Sequence, residues 1–110
     1  MSKQIWKPGT LLAPAPAALV TCGTAEQPNV LTVAWTGIIN SVPPMTYVSI
    51  RPERFSHHLI EGSKEFVINI TTAELTRAAD FCGVRSGKDT DKFAEMKLTA
   101  IEASAVKAPL

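Results

Sequence analysis

The sequence predicts a mainly β protein with peripheral helices, its strands forming a largely antiparallel sheet or barrel. Three observations carry this. Short apolar runs with two-residue alternation dominate the chain before residue 71. Helix signals fall only between and after those runs. At 110 residues, with 45% hydrophobic and 19% charged side chains, the chain is sized for one domain around a single core.

The first run follows a proline-stiffened lead-in, "APAPAALVTC", which predicts a strand around Ala18 to Cys22. "GTAEQPN" then supplies turn residues. In "VLTVAWT", Leu31, Val33 and Trp35 share one face of a strand, and Val30, Thr32 and Ala34 share the other. "MTYVSIR" alternates in the same way, as does "EFVINI", where Phe66, Ile68 and Ile70 face together. Four β-rich runs are thus expected before residue 71.

Between them, Ser56 is placed to cap a short helix, "HHLIEGS". In "TTAELTRAADFCG", Thr71 and Glu74 have capping-box spacing and Gly83 is a natural stop. Leu75, Ala79 and Cys82 form its apolar stripe, with Glu74, Arg77 and Asp80 turned away. A last short helix is expected near Asp91, with Phe93 and Met96 inward, followed by an extended "LTAIEA".

Several function classes are excluded by composition. Eleven Lys+Arg against ten Asp+Glu leave a net charge of +1, so the broad basic face of a nucleic-acid binder is missing. The two cysteines, Cys22 and Cys82, have neither metal-site nor disulfide-framework spacing. "MSKQIWKPGT" lacks the apolar core of a signal peptide, which predicts a cytoplasmic protein with free thiols. Gln27 to Ile50 carries no charge and has the length of a membrane span, but Asn29, Gly37, Asn40, Ser41 and Pro43-Pro44 interrupt it. Two buried strands joined by a polar, uncharged loop fit it better, and no membrane partner is expected.

Three stretches carry candidate chemistry. "CGVRSGKDTDKF" resembles a phosphate loop in composition only. Its glycines have the wrong spacing, and Asp89 follows Lys88 where a metal-binding hydroxyl belongs. It reads either as a helix stop and a capped helix start, or as a loop whose Arg85, Lys88 and Lys92 reach an anion by side chain. In "RPERFSHHLI", Arg51 and Arg54 flank a helix start at Ser56, so two guanidinium forks, a hydroxyl and free N–H groups can converge on an anion. The alternative is a solvated charged turn. His57 and His58 are neighbours and point apart, so at most one joins such a site. In "WTGIINSVPP", Trp35, Thr36, Gly37, Asn40 and Ser41 offer an aromatic wall and neutral hydrogen-bonding groups suited to a flat heterocycle. The alternative is a tight crossover with Trp35 in the core. A heterocycle site beside a phosphate site describes a mononucleotide-like ligand.

The segments "PNVLTVAWTGIINSVPPMTYVSIRPERFSHHLI", "EFVINI" and "CGVRSGKDTDKF" closely resemble the flavin reductase-like family, in particular its flavoredoxin branch. The resemblance implies an FMN-binding split β-barrel that forms homodimers. It implies that Ala34 to Ser41 (Ala34, Trp35, Thr36, Gly37, Asn40 and Ser41 among them) lie along the isoalloxazine. It places Arg51, Arg54, Ser56 and His57 around the FMN phosphate. Ser86 and Lys92 come from the S-G-x-x-x-D-K-F motif, with Lys92 nearest the cofactor; His58 departs from the branch pattern and is left out. The implied activity is electron transfer between NADH or NADPH, or a redox partner, and flavin. No G-x-G-x-x-G segment is present, so nicotinamide would stack directly over the ring and no catalytic acid–base pair is needed. Family members continue past "EASAVKAPL", which implies an incomplete barrel and a homodimer or larger homo-oligomer. Two other readings stay open: a shortened, non-catalytic flavin-binding or assembly protein, and a pyridoxal phosphate binder for which no lysine is obviously placed.

Overall fold

The computed structural model describes every residue from Met1 to Leu110. Its regular elements run β1 (Ala18–Gly23), β2 (Pro28–Val33), β3 (Thr36–Ser41), β4 (Pro44–Val48), α1 (Phe55–Ser63), β5 (Val67–Ile70), α2 (Thr76–Val84) and α3 (Lys92–Met96). A single 3₁₀ turn, Ala73–Leu75, leads into α2. The strands form two antiparallel sheets, one ordered β2-β1-β5 and the other the hairpin β3-β4, which do not close on each other. The result is a mainly β fold with peripheral helices, an open split barrel.

β1 is the central strand and the most apolar, with Ala18 to Cys22 all buried. It pairs with β2 from Ala18↔Val33 to Gly23↔Pro28, and with β5 from Ala18↔Ile70 to Thr21↔Val67. The β1–β2 turn depends on Gly23, whose φ of +82° is open only to glycine at low cost. A side chain there would also run into the Gln27 carbonyl.

Alternation along these strands creates two apolar layers. Leu19 and Val30 pack with Ala79, Cys82 and Phe93 from α2 and α3. Val20, Leu31 and Val33 pack on the other face with Val48, Ile50, Ile60, Phe66 and Ile68. Each fully buried side chain of this size contributes about 1.5–3 kcal/mol.

Five strands precede residue 71, one more than the sequence predicts. The extra strand is β3, in the segment expected to be a loop. It is held to β4 by Thr36 Oγ1 donating to the Tyr47 carbonyl at 2.7 Å and Thr46 Oγ1 donating to the Gly37 carbonyl at 2.6 Å. Trp35 does not continue β2 beside Leu31 and Val33. The chain turns at Ala34–Trp35, and Ser49 N–H donates to the Trp35 carbonyl at 2.8 Å.

The helix ends also differ from their local signals. Arg54, not Ser56, is the N-cap of α1, and Ser56 lies inside the first turn and is buried. The Thr71 capping box does not form, because Thr71 Oγ1 donates instead to the Ala17 carbonyl at 2.7 Å. Gly83 lies within the last turn of α2, where a Cβ would meet Thr32 Cβ at 3.3 Å. Its absence of a side chain serves close packing of helix on strand. At α3 the expectation holds: Asp91 accepts from Ala94 N–H at 3.2 Å, Phe93 is buried, and Met96 packs on the same cluster. The "LTAIEA" stretch forms no strand. Ile101 and Leu110 instead exchange two backbone hydrogen bonds, while Ala108 and Pro109 are buried near Thr21. No helix is long and apolar enough to cross a membrane.

Candidate functional site

The start of α1 and the loop after α2 enclose a cavity of about 150 Å³. Arg54, Ser56, Arg85, Ser86, Gly87 and Lys92 line it, with Leu31 and Glu53. Two motifs far apart in sequence therefore supply one cationic pocket.

Its polar groups are set by buried contacts. Lys92 is 4% exposed, and its Nζ donates to the carbonyl oxygens of Val30 and Cys82 at 2.8 and 2.9 Å. Burial pulls its pKa below the ordinary lysine value, and the neighbouring Arg54 charge adds to that, while Cys82 and Cys22 oppose it. Burial likewise pushes both thiols up, against smaller opposing effects from Lys92 and, for Cys22, hydrogen bonds to Asn29 and Ser56. Arg54 Nη1 donates to the Gly83 carbonyl at 3.1 Å, whereas Arg54 Nη2 is buried with no partner. Ser56 Oγ accepts from Asn29 Nδ2 at 2.5 Å, and the same amide points at Cys22 Sγ at 3.7 Å.

A second cavity, about 470 Å³, lies where the N-terminal segment crosses the start of the hairpin. Ala34, Trp35, Thr36 and Tyr47 form one wall, and Gly9 to Ala13 with Ala15 form the other. Arg51 stands over the Trp35 ring, 5.7 Å from its centroid. Leu31 on the first cavity and Ala34 on the second are three residues apart, about 10 Å of extended chain.

Of the residues singled out from sequence, the structure gathers Arg54, Ser56, Ser86 and Lys92 on the first cavity and Ala34, Trp35 and Thr36 on the second. Gly37, Asn40, Ser41, Arg51 and His57 line neither. Gly37 packs beside Tyr47, Asn40 Nδ2 donates to the Pro43 carbonyl at 3.1 Å, and Ser41 is exposed opposite Pro44. His57 Nδ1 is 3.8 Å from Glu61 Oε2. Asn29 was hidden in sequence among turn residues, and only its burial beside Ser56 and Cys22 marks it. Gly87 belongs to the motif but its reason is spatial. A Cβ there would strike Asn29 Oδ1 and sit 2.8 Å from Phe55 Cδ1. No group of three or more His, Cys, Asp or Glu is placed to hold a metal ion.

The two antiparallel sheets that do not close on each other form an open split barrel. The chain belongs to the flavin reductase-like family, whose profile, described as "Flavin reductase like domain", matches residues 11–110. It is 34% identical over 98 residues to an uncharacterized protein of Archaeoglobus fulgidus, covering 89% of this chain and 55% of that protein. The flavoredoxin of Desulfovibrio vulgaris (Miyazaki F) superposes with a TM-score of 0.88 at 34% identity, covering 99% of this chain and 60% of that one. An FMN-binding protein from Thermus thermophilus shares the fold, with a TM-score of 0.82 at 22% identity over 100% of this chain and 61% of that one. The chain spans a little over half the length of each of these relatives.

Proposed function

We propose that this chain holds FMN across the two cavities and passes electrons between NADH or NADPH, or a redox partner, and the flavin. The observation that carries the reading is the buried, unpartnered Arg54 Nη2 beside Ser56 and Lys92. A buried donor without an acceptor costs about 1–3 kcal/mol, more when charged, and a phosphate oxygen relieves it. Guanidinium, ammonium and hydroxyl donors together suit a dianionic monoester. The apolar second cavity, with Trp35 and Tyr47, suits a flat ring system.

Flavin, when bound, supplies the hydride- and electron-accepting centre. The chain's own part is placement: Arg54, Ser56, Ser86 and Lys92 fix the phosphate, and Ala34, Trp35 and Thr36 border the ring. Gly37, Asn40, Ser41, Arg51 and His57 line neither cavity and are given no contact with the flavin in this reading. The apolar hairpin residues Ile38, Ile39, Val42, Met45 and Tyr47 are exposed, and a second copy of the chain is the cover we assign to them. The assembly this cover implies is a homodimer or larger homo-oligomer, and we assign it to the cytoplasm.

The unclosed sheets favour one further reading, a flavin-binding or assembly protein without catalysis. One titration separates the two. The purified chain is titrated with FMN and followed by flavin fluorescence, then mixed with NADH and NADPH. Saturable binding near one FMN per chain with prompt bleaching supports the oxidoreductase. Binding without reduction leaves the non-catalytic role, and no binding removes the oxidoreductase and leaves only an assembly role.

A further inference from the structure

The β2-β1-β5 sheet has two outer strands, and only one of them is blunted. β2 begins at Pro28, which has no N–H to offer, and its Val30 carbonyl is taken by Lys92 Nζ at 2.8 Å. β5 has no such device. Its four residues, Val67–Ile70, include no charge and no proline, and their register with β1 is unbroken. Alternate N–H and C=O groups of an outer strand point away from the sheet, and in β5 these have no backbone partner. Ile70, at the end of the strand, is 81% exposed. An uncharged, unpaired edge of this kind is a template for a further strand.

We infer that the free edge of β5 pairs with β5 of a second copy, antiparallel about a two-fold axis, as a self-association surface separate from the hairpin. Charge selects the occupant and its direction. Lys64 lies three residues before the strand and Glu74 four residues after it, and both are exposed. Antiparallel pairing sets the start of one β5 against the end of the other, so opposite charges meet at each end of the pair. Parallel pairing would set Lys64 against Lys64 and Glu74 against Glu74. Glu65, the other charge before the strand, is already engaged, its Oε2 accepting from Lys107 N–H at 2.9 Å. Size fixes the strength. Four residues span about 13 Å, in a single layer about 10 Å deep, far below the roughly 800 Å² per partner of a standard interface. The pairing is therefore weak, with a Kd of about 100 µM. Because the hairpin and this edge are two different self-complementary surfaces, the edge extends a dimer into a larger homo-oligomer. None of this depends on the flavin assignment of the cavities.

The test is the weight-average mass in sedimentation at about 10 and about 300 µM, a range that brackets the expected Kd. It is made on the wild-type chain, Ile70→Lys, Glu74→Lys and Lys64→Glu/Glu74→Lys. All three positions are exposed, so the variants keep the fold. The wild-type mass should rise towards twofold across the range, whatever species is present at its lower end. Ile70→Lys places a charge on the edge and should abolish the rise. Glu74→Lys should suppress it, and the double variant, which reverses the pair, should restore it. Backbone amides of residues 67–70 should exchange about threefold more slowly at the higher concentration, the protection that such a Kd allows. A constant wild-type mass would overturn the proposal. So would a rise that Ile70→Lys leaves intact, or a double variant no better than Glu74→Lys. A chain monomeric at the lower concentration that still doubles would refute the hairpin cover and support the β5 edge.

Discussion

Lys92 Nζ lies 2.8 Å from the carbonyl oxygen of Val30, in the body of β2, so the only lysine of the motif loop that is buried is tied to the central sheet. A second bond, to the Cys82 carbonyl at 2.9 Å, joins α2 to the same ammonium. Lys92 therefore links α3, β2 and α2 at the floor of the cationic pocket. Replacing it with methionine leaves two buried carbonyls without a donor, at about 1–3 kcal/mol each, partly offset by removing a buried charge. The expected result for Lys92→Met is a net loss of about 2 kcal/mol in urea denaturation and an FMN affinity at least about tenfold weaker. A variant as stable as the wild type would show that these two bonds hold nothing together.

The same lysine makes stability depend on pH. Burial, with Arg54 nearby, sets its folded pKa below the ordinary 10.5. Between the two values the unfolded chain binds a proton that the folded chain has shed, so stability rises with pH in that window. The thiols act oppositely. Burial raises Cys22 and Cys82 above the ordinary 9.0, the folded chain keeps protons the unfolded chain has lost, and stability falls as pH climbs past 9.0. Urea midpoints of the wild type and Lys92→Met, taken from pH 7.5 to 10, separate the two groups. The rising contribution should vanish in the variant while the decline above pH 9 stays; parallel curves would assign it to other groups.

Much of this fold was readable locally and much was not, for physical reasons that particular residues show. β1 was legible because its burial and alternation are properties of one short run. The α3 start was legible because Asp91 caps it from the adjacent position. β3 was missed because Gly37, Asn40 and Ser41 carry turn preferences, and the bonds that make it a strand come from Thr46 and Tyr47 across the hairpin. The Thr71 capping box was misread because a partner 54 residues away, Ala17, takes its hydroxyl. Within the site, both halves of the cationic pocket were visible as motifs. Asn29 was not, since its meaning comes from Ser56, 27 residues on.

Gly87→Ala tests the closeness of the motif loop to the sheet. The added methyl meets Asn29 Oδ1 and comes to 2.8 Å from Phe55 Cδ1, and neither neighbour is a loose surface chain. Overpacking of this kind costs about 1–3 kcal/mol. The expected outcome is a lowered thermal midpoint and weakened FMN binding together, read by calorimetry and fluorescence. A wild-type midpoint would mean that the loop lifts away freely.

The homo-oligomer we propose rests on the hairpin. Ile38 and Val42 are 87% and 86% exposed, a degree of exposure that places two apolar side chains almost wholly in water. Ile38→Asp/Val42→Asp should convert the oligomer to monomer in sedimentation at micromolar concentration without lowering the monomer's own secondary structure. A wild-type chain already monomeric at that concentration would refute the assigned cover.

Arg54 separates binding from stability most cleanly. Its Nη1 donates to the Gly83 carbonyl at 3.1 Å, which stabilises the join of α1 to α2, but its buried Nη2 has no acceptor. The first contact contributes about 1–2 kcal/mol and the second costs a similar amount, so the two nearly cancel in the absence of ligand. Arg54→Met removes both and fills the volume with an apolar chain. Its unfolding free energy should stay within about 1 kcal/mol of the wild type, while FMN affinity falls about tenfold or more through loss of a charge-assisted donor. Riboflavin, which has no phosphate, should bind wild type and variant alike. If Arg54→Met weakens riboflavin as much as FMN, the guanidinium acts through the shape of the pocket and the phosphate lies elsewhere. If it unfolds the chain, the bond to Gly83 outweighs the orphaned donor, and the cost we assign to that nitrogen is too large.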